Sequence, residues 1–379
     1  MNNTVVSVMC VLFLIFSLSS CNAEKLIEEE TTAAVTMQTT AAETTTVETT
    51  TVKPTERTDI PVTVLLPGDK TQTLDNGFKV VRFSGDDALD NFIEGGGAKS
   101  NDELMEFLIK CVLYGKAGIK LGLLGASCST LSVKGENSMQ YFGRNFDWKK
   151  CNGLIIVNEP KYGYKSVSTV NSDFMDGADY ELTDEVRRFV GLYCPLDGMN
   201  EKGVCISVNM ITSVKTIEQN TSKPDLTTTS AIRLILDRTS SAKEAVEILK
   251  GYDMHASFGY MVHFAVCDST GYSVAVEYAD NEMIVTETPV LTNFYVAPGL
   301  FGTGSKSSIK RYDILCDLLG KKDVMSFSDV LSAMKSVGKS NFDDPVYNST
   351  EWTVIFNQTT KTASYFHREN FDRCWQIEL

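Results

Sequence analysis

The sequence has little histidine and more acidic than basic side chains. Its 379 residues include three histidines, His255, His263 and His367, and 49 Asp and Glu against 35 Lys and Arg, a net charge of −14. No CxxC or HExxH spacing occurs, so there is little from which to build a zinc site or a histidine relay. A net negative field repels phosphate backbones. We therefore expect no nucleic-acid partner, no metal and no other cofactor, and any chemistry must use other groups.

The apolar run near the N-terminus is too short to span a bilayer comfortably. It covers residues 5–18, the length of a signal-peptide h-region. Residues 18–21 (LSSC) resemble the lipobox of bacterial lipoproteins, in which the cysteine is lipidated. We predict a lipoprotein-type signal peptide over 1–20, lipidation of Cys21 and a membrane-anchored, extracellular position on the cell surface. Ordinary signal cleavage after Ala23, with secretion, is the alternative.

Threonine dominates the next stretch of the chain. Residues 31–58 contain 13 Thr and almost no large apolar side chain. Such a segment cannot bury enough surface to offset the entropy lost on ordering. We predict a solvated Thr-rich tether over 21–58, with the globular part beginning near Asp59.

Ten cysteines in an exported chain would ordinarily suggest a disulfide framework. Without Cys10 and Cys21, eight remain over more than 300 residues, at spacings that match no disulfide-rich scaffold. Most lie in apolar runs, and we interpret them as small buried hydrophobic residues. Only Cys128 has different surroundings. The cysteines in apolar runs are Cys111, Cys205, Cys267 and Cys316.

The region from Asp59 to Ser127 is predicted to fold against the part of the chain that begins at Cys128. Residues 78–83 are typical of a strand. Ser100 and Glu103 have the spacing of a capping box, and apolar side chains then recur at helical intervals, which predicts an amphipathic helix over 101–114. An amphipathic helix needs a partner surface.

After residue 126 the pattern becomes rich in short β-runs. Turn residues at 134–137 and 200–203 predict two hairpins, and further strands alternate with helices along the chain. This order predicts an α+β fold with two antiparallel sheets flanked by helices. The predicted helices span 230–238, 242–250, 308–319 and 327–337.

The segment that starts at Cys128 carries the most informative motif. A strand and a turn come after this cysteine, and the sequence GRNFD then places Arg144 16 positions (144 − 128) and Asp147 19 positions (147 − 128) beyond it. This arrangement resembles the start of the mature catalytic chain in the choloylglycine hydrolase superfamily. That superfamily includes bile salt hydrolases, penicillin V acylases, N-acylethanolamine acid amidase and acid ceramidase.

Further matches to this superfamily occur in the same order along residues 128–379. Residues 200–209 (NEKGVCISVN) resemble a family hairpin and place Asn209 at its first oxyanion position. Residues 290–293 (VLTN) place Asn293 at the second. Residues 307–312 (SSIKRY) resemble the segment of a late arginine, which would be Arg311.

The resemblance implies the αββα sandwich of N-terminal-nucleophile (Ntn) hydrolases. It also implies cleavage of linear, non-peptide C–N amide bonds through a thioester. A thiol with an ordinary pKa near 8.5 needs a base, and the α-amine of an N-terminal Cys128, with a pKa of about 7.7–8.0, can relay the proton. Arg144 would favour the thiolate, and Asp147 would orient the α-amine. Asn209 and Asn293 would stabilise the oxyanion, with Arg311 completing the site.

Cys128 lies far from the start of this chain, so a free α-amine requires a cut between Ser127 and Cys128. In the amidase and ceramidase branch the precursor cuts itself at this point and the upstream piece stays attached. We therefore expect autoproteolysis that yields an α-subunit-like segment, 59–127, associated with a catalytic β-chain, 128–379.

The substrate expected from the resemblance is a small-molecule N-acyl amide. The choice among fatty acyl amides, conjugated bile acids and acyl-homoserine lactones stays open. Two other functions also remain: a papain-like protease that pairs Cys128 with His255 or His263, and an inactive, wall-tethered binding lipoprotein. We interpret His263, which lies in an apolar run, as a core residue.

Overall fold

A computed structural model describes residues 60–112, 127–175, 183–211, 215–344 and 346–379. The predicted signal peptide, the lipidation site Cys21 and the tether over 21–58 lie outside the described residues. Within the described part the chain forms 19 strands and seven α-helices. None of these helices is both long enough and apolar enough to cross a membrane.

The strands and helices are numbered in chain order. The strands are β1 (Val62–Val64), β2 (Gln72–Asp75), β3 (Phe78–Gly85), β4 (Ser127–Gly135), β5 (Gln140–Trp148), β6 (Gly153–Pro160), β7 (Ser166–Asn171), β8 (Asp197–Asn200), β9 (Cys205–Met210), β10 (Asp225–Thr227), β11 (Asp253–His255), β12 (Val262–Cys267), β13 (Ser273–Ala279), β14 (Glu282–Glu287), β15 (Val290–Leu291), β16 (Val324–Met325), β17 (Ser349–Asn357), β18 (Thr362–His367) and β19 (Cys374–Glu378). The helices are α1 (Leu89–Glu94), α2 (Asn101–Val112), α3 (Asp184–Leu192), α4 (Thr228–Arg238), α5 (Ala242–Lys250), α6 (Lys306–Lys321) and α7 (Phe327–Ser336).

Two large sheets organise the fold. The first has the order β1-β19-β18-β17-β5-β4-β15, with β16 also pairing with β4. The second has the order β14-β13-β12-β9-β8-β7-β6-β3-β2, and β10 and β11 form a separate small pair. The central pairs of both large sheets are antiparallel, as predicted, whereas β1–β19, β4–β16 and β3–β6 are parallel. Both sheets were predicted to be antiparallel. Each is instead mixed, with parallel pairs where the upstream segment and β16 join it.

The sheets enclose the main core and carry helices on their outer faces. The side chains of β4 and β5 alternate between the main core, which contains Phe142 and Phe146, and a second core beneath α6 and α7, which contains Leu131 and Tyr141. Both faces of β5 are therefore covered, and all nine of its residues are buried. The predicted α+β, αββα arrangement is confirmed.

Two glycines let the helices approach the sheets closely. A Cβ atom at Gly143 in β5 would lie 2.9 Å from Met334 Sδ on α7. A Cβ atom at Gly198 in β8 would lie 2.7 Å from Leu236 Cδ1 on α4. Because Cβ atoms essentially never approach other heavy atoms this closely, the small residue at each position sets the distance between helix and sheet.

The upstream segment contributes strands to both large sheets. β1 pairs with β19 at the edge of the first sheet, and β3 pairs with β6 in the second, with Phe78 and Val80 fully buried in the main core. The strand predicted over 78–83 is confirmed. The helix predicted over 101–114 is confirmed for 101–112, and its last two residues lie outside the described range.

The eight cysteines in the described ranges are all free thiols. Burial was predicted correctly for Cys205 and Cys267, whereas Cys316 is half-buried. The prediction was wrong for Cys111, which is exposed near the end of α2. It lies seven residues after the buried Leu104, on the same side of the helix, so helical periodicity alone does not decide the burial of a residue near a helix end.

Candidate active site

Cys128 is the second residue of β4, and hairpin geometry explains the spacing of the motif downstream of it. In the β4–β5 register Cys128 lies opposite Phe146, Thr130 opposite Arg144 and Ser127 opposite Asp147. Side chains alternate between the two faces of a strand. Cys128 and Arg144 therefore share the face toward the main core, and Asp147 lies with Ser127 on the face toward α6 and α7. The 16- and 19-residue spacings thus place Arg144 and Asp147 on opposite faces of the sheet.

A buried arginine approaches the sulfur on the core face. Arg144 Nη2 lies 3.6 Å from Cys128 Sγ. Arg144 Nε donates to Asp197 Oδ2 at 2.7 Å, and Nη1 donates to Asn209 Oδ1 at 2.9 Å. Trp352 Nε1 donates to the same Asp197 oxygen at 3.0 Å. Asp197 balances the arginine charge and holds the guanidinium in place.

The thiol of Cys128 is fully buried, and this burial raises its pKa. Arg144 and Arg311 act in the opposite direction, whereas the negative charge of Asp147 raises the pKa further. Desolvation is the largest of these effects and favours the neutral thiol. In the uncut chain the sulfur therefore needs a base to become a nucleophile.

Asn293 and Arg311 hold the backbone of the nucleophile. The Cys128 backbone N–H donates to Asn293 Oδ1 at 2.8 Å, and Arg311 Nη2 donates to the same oxygen at 2.8 Å. Arg311 Nη1 also donates to the Cys128 carbonyl oxygen. The Asn293 side-chain nitrogen donates to Met210 O at 2.7 Å. The nitrogen that would become the α-amine is thus already held by a polar partner.

Asp147 is buried on the opposite face of the hairpin. Its Oδ1 accepts a hydrogen bond from Thr350 Oγ1 at 2.8 Å. Its Oδ2 has no hydrogen-bond partner in the described part of the chain and lies 3.9 Å from Arg311 Nη1 and 4.0 Å from Lys339 Nζ. Burial raises the pKa of Asp147, and the charges of Arg311 and Lys339 counter part of that rise.

The structure gives the histidines other partners. Both ring nitrogens of the fully buried His263 are engaged, Nδ1 with Glu277 Oε1 at 2.8 Å and Nε2 with Thr292 O at 2.9 Å. Its interpretation as a core residue is confirmed. His255 Nε2 lies 2.7 Å from Asp225 Oδ1. Neither arrangement provides the Cys–His pair that a papain-like protease would need.

An apolar cavity of about 50 Å³ opens beside Cys128 on the core face. Aromatic rings form a continuous wall: Phe146 stacks on Trp148, which meets Phe174 edge-on, and Phe174 in turn packs against Phe258. An apolar group attached to the sulfur would lie against this wall. The cavity lining comprises Cys128, Phe146, Trp148, Phe174, Leu196, Val208, Met210, Thr228, Thr229, Ser257, Phe258, Tyr260 and Val262.

The six residues predicted for the site lie in one contact network. Arg144 joins Cys128 to Asn209, Asn293 joins Cys128 to Arg311, and Arg311 approaches Asp147. Their individual catalytic roles remain predictions. Ser127, on the other side of the predicted cut, lies at the head of β4.

Sequence reasoning missed Asp197, Lys339 and Thr350. They come from β8, from the segment after α7 and from β17, where no local motif marks them, and only tertiary packing brings them to the site. In the described ranges no group of three or more His, Cys, Asp or Glu side chains is arranged to hold a metal ion.

Comparison with solved structures finds similar chains. Two variants of conjugated bile acid hydrolase from Clostridium perfringens match with TM-scores of 0.51 and 0.52, each at 17% identity over 66% of this chain and 92% of theirs. Penicillin V acylase from Agrobacterium tumefaciens matches with a TM-score of 0.48 at 18% identity, over 66% of this chain and 86% of that one. A comparison with curated protein sequences finds no match.

The αββα arrangement, with Cys128 as the second residue of β4, is the Ntn-hydrolase fold. Residues 128–295 match the family model described as linear amide C–N hydrolases, choloylglycine hydrolase family. The match covers 168 residues (295 − 127) of the 379, and this part of the chain is similar to hydrolases of linear amide C–N bonds.

Proposed function

We propose that this protein is an exported cysteine amidohydrolase that becomes active when the Ser127–Cys128 bond is cut. The observation that carries the proposal is the setting of Cys128. Its sulfur faces Arg144 and an apolar cavity, while its backbone nitrogen is held by Asn293. Freed by the cut, that nitrogen becomes an amine within reach of the sulfur.

The cut is explained by the chemistry of neighbouring atoms. Cys128 Sγ forms a bond to the Ser127 carbonyl carbon, and the peptide C–N bond breaks. The thiol proton passes to the Asp147 carboxylate and from there to the Cys128 nitrogen. Water then hydrolyses the thioester, so that Ser127 ends as a carboxylate and Sγ regains a proton. Asp147 suits the relay because its Oδ2 is buried without a hydrogen-bond partner in the described part of the chain.

Turnover then uses the new α-amine as the base. The amine takes the thiol proton as Sγ attacks the substrate carbonyl, and it returns the proton to the leaving amine. Asn209 and Asn293 each donate one amide hydrogen to a backbone carbonyl, Leu291 O and Met210 O. An amide nitrogen carries two hydrogens, so each has a second for the developing oxyanion. Water hydrolyses the acyl thioester.

The substrate class is an N-acyl amide with a hydrophobic acyl group. The cavity beside Cys128 is lined almost entirely by apolar and aromatic side chains, which favour an apolar acyl group and disfavour a charged one. The conjugated bile acid hydrolases with the same fold support an amide of this kind. Fatty acyl amides fit the same description.

We further propose that the upstream segment stays bound after the cut, as an α-chain on the catalytic β-chain. β3 forms a full parallel pairing with β6, and β1 pairs with β19. Separating them would expose Phe78 and Val80, which are fully buried, and would break two strand pairings.

Polar and ring contacts reinforce this association. The buried Asp87 of the upstream segment pairs with Arg233 of α4, with Oδ2 and Nη2 3.0 Å apart. Asp75 accepts from His367 Nδ1 at 3.1 Å, and the His367 ring stacks on Phe78 with ring centroids 4.8 Å apart.

Export, lipidation at Cys21 and a position on the cell surface remain part of the proposal and rest on the sequence of residues 1–58. Labelling of cells with a radioactive fatty acid tests them. Label should enter the native protein and be lost in Cys21→Ala. Equal labelling of both would exclude the lipid anchor.

Mass and activity measurements on the purified protein test the central proposal. Denaturing gels and N-terminal sequencing should show a fragment that begins at Cys128. Activity on a panel of N-acyl amides with fluorescent leaving amines should be abolished by iodoacetamide. A fully active enzyme that runs as one uncut chain would refute the cleavage model, and a cut chain inactive on every amide would refute the amidase function.

A matched pair of variants tests the association. Asp87→Asn removes the charge that the upstream segment presents to the buried Arg233, which keeps Asp237 of α4 as a partner, and should lower the free energy of unfolding by about 2 kcal/mol. Asp90→Asn removes a surface contact with Arg238 and should cost less than about 1 kcal/mol. Urea unfolding of the cut protein gives both values, and co-elution of the two pieces in size-exclusion chromatography shows the association. Equal effects of the two variants would argue against the buried contact.

A further inference from the structure

A lysine that no motif marked reaches the residue before the proposed cut. Lys339 comes after α7, and its Nζ donates to Ser127 Oγ at 2.7 Å. The same Nζ lies 4.0 Å from Asp147 Oδ2. Ser127 supplies the carbonyl carbon that Cys128 Sγ must attack, so the lysine holds one side of the bond to be broken.

The backbone of Lys339 is tied to the Asp147 side chain through one threonine. Lys339 N donates to Thr350 Oγ1 at 2.8 Å, and Thr350 N donates to Lys339 O at 2.8 Å. The Thr350 hydroxyl in turn donates to Asp147 Oδ1 at 2.8 Å. Ser127, Asp147 and Lys339 thus form one connected group on the helix face of the hairpin.

Partial burial of the Lys339 ammonium group costs hydration free energy, which its polar contacts must offset. The Lys339 side chain is only 21% exposed, and burial lowers its pKa, an effect that the negative charge of Asp147 partly offsets. A surface lysine would keep its full hydration. Here the ammonium gives up much of that hydration for a neutral hydroxyl and a carboxylate beside the scissile bond.

We propose that Lys339 is a positioning residue for the cut between Ser127 and Cys128, and this inference rests on the proposed self-cleavage. Its ammonium fixes the Ser127 side chain, so that the Ser127 carbonyl carbon stays against Cys128 Sγ, and it keeps the proton-accepting carboxylate of Asp147 ionised. The positioning role ends with the cut, because turnover breaks a bond of the substrate and not the bond after Ser127. Lys339 thereby serves the maturation of this enzyme and not its turnover.

The charges around Asp147 set the expected pH dependence. Arg311 from α6, Lys339 and Arg144 from β5 favour its ionised form, as does the hydrogen bond from Thr350 in β17. The carboxyl of Glu369, after β18, acts against them, and the charge of Asp147 in turn raises its pKa. The neighbouring Cys128 thiol is neutral in the uncut chain. Removing Lys339 raises the pKa of Asp147 further, so the carboxylate is protonated over a wider acidic range. The acid limb of the cleavage rate should then move to higher pH.

The test measures cleavage of freshly purified, full-length precursor over time on denaturing gels. Lys339→Met should slow the cut about 100-fold, the loss expected when a reacting group is displaced by about 1 Å. It should also move the acid limb upward. Lys339→Arg keeps the charge and should recover most of the rate. The matched control is Lys310→Met, which removes an exposed lysine next to Arg311 in sequence and should cut like the native chain.

Two further variants make each outcome decisive. Cleavage of Cys128→Ala at the native rate would refute self-cleavage itself. If Cys128→Ala stays uncut but Lys339→Met cuts within about threefold of the native rate, a change too small for lost positioning, only the role of Lys339 is refuted. Should Lys339→Met fail to fold by circular dichroism, Ser127→Ala removes the same contact from the other side. Ser127→Ala should cut about tenfold more slowly, and cutting at the native rate would refute the proposal.

Discussion

The two faces of the β4–β5 hairpin carry different chemistry. The core face holds the sulfur of Cys128, the Arg144–Asp197 ion pair and the aromatic cavity. The helix face holds Ser127 and Asp147, with the ammonium of Lys339 nearby. The peptide bond between Ser127 and Cys128 connects them. Under the proposed function, the core face supplies the attacking sulfur and the acyl site, while the helix face supplies the groups that assist the cut.

The largest expected effect comes from replacing Cys128 Sγ, the atom that the proposed cut and amide hydrolysis both use. Cys128→Ser replaces the thiol by a far less acidic hydroxyl, so both the cut and amide hydrolysis should slow by at least about 1,000-fold. Gels measure the cut, and fluorescent amides measure turnover. A papain-like enzyme would lose turnover with no change in processing. That result would show that the Cys128 sulfur does not make the cut.

The next largest effect tests the core face. Arg144→Lys cannot keep the contacts with Cys128 Sγ, Asp197 and Asn209 together, because an ammonium lacks the planar fork of a guanidinium. Turnover per cut chain should fall about 100-fold. Alkylation of Cys128 by iodoacetamide should require higher pH, since Arg144 lowers the pKa of the thiol. Arg82→Lys, at a partly exposed ion pair, is the control and should change neither measurement. An unchanged alkylation profile in Arg144→Lys would show that Arg144 does not lower the pKa of the Cys128 thiol.

A smaller effect, the pH dependence of the cleavage rate, tests the role of Asp147 on the helix face. Burial raises the pKa of Asp147 above its ordinary 3.8, so the carboxylate takes up a proton at higher pH than an exposed aspartate does. The cleavage rate should therefore fall as the pH drops through this raised pKa. Thr350→Val removes the hydroxyl that donates to Asp147, and the acid limb should move about one pH unit higher. Thr353→Val, whose hydroxyl donates to Asn145 instead, is the control. A limb that stays in place in Thr350→Val would show that Asp147 does not control the cut.

Local patterns predicted much of the fold. Helices α4 to α7 were predicted within about two residues at each end, because capping residues and apolar periodicity are local signals. Several elements were not predicted: the strands β1, β2, β6, β7, β10, β11, β16 and β19 and the helices α1 and α3. Among them, β1 and β16 have three and two residues and pair with strands distant in sequence, so no alternation marks them. Within the VLTN motif only Val290–Leu291 pairs as a strand, and the chain then presents Asn293 to Cys128.

The sequence by itself determined the β4–β5 hairpin and predicted Cys128 as the nucleophile, together with the order of the asparagines and arginines, because each belongs to a motif with fixed spacing. Only the tertiary structure decided which residues surround the bond between Ser127 and Cys128. Asp197, Lys339 and Thr350 reach the hairpin from other strands and loops, and the upstream strands enter both sheets. Such contacts depend on how sheets stack and helices cover them. The physical reason is that a buried charge is stabilised by partners close in space, and their separation along the chain leaves no mark in a local pattern.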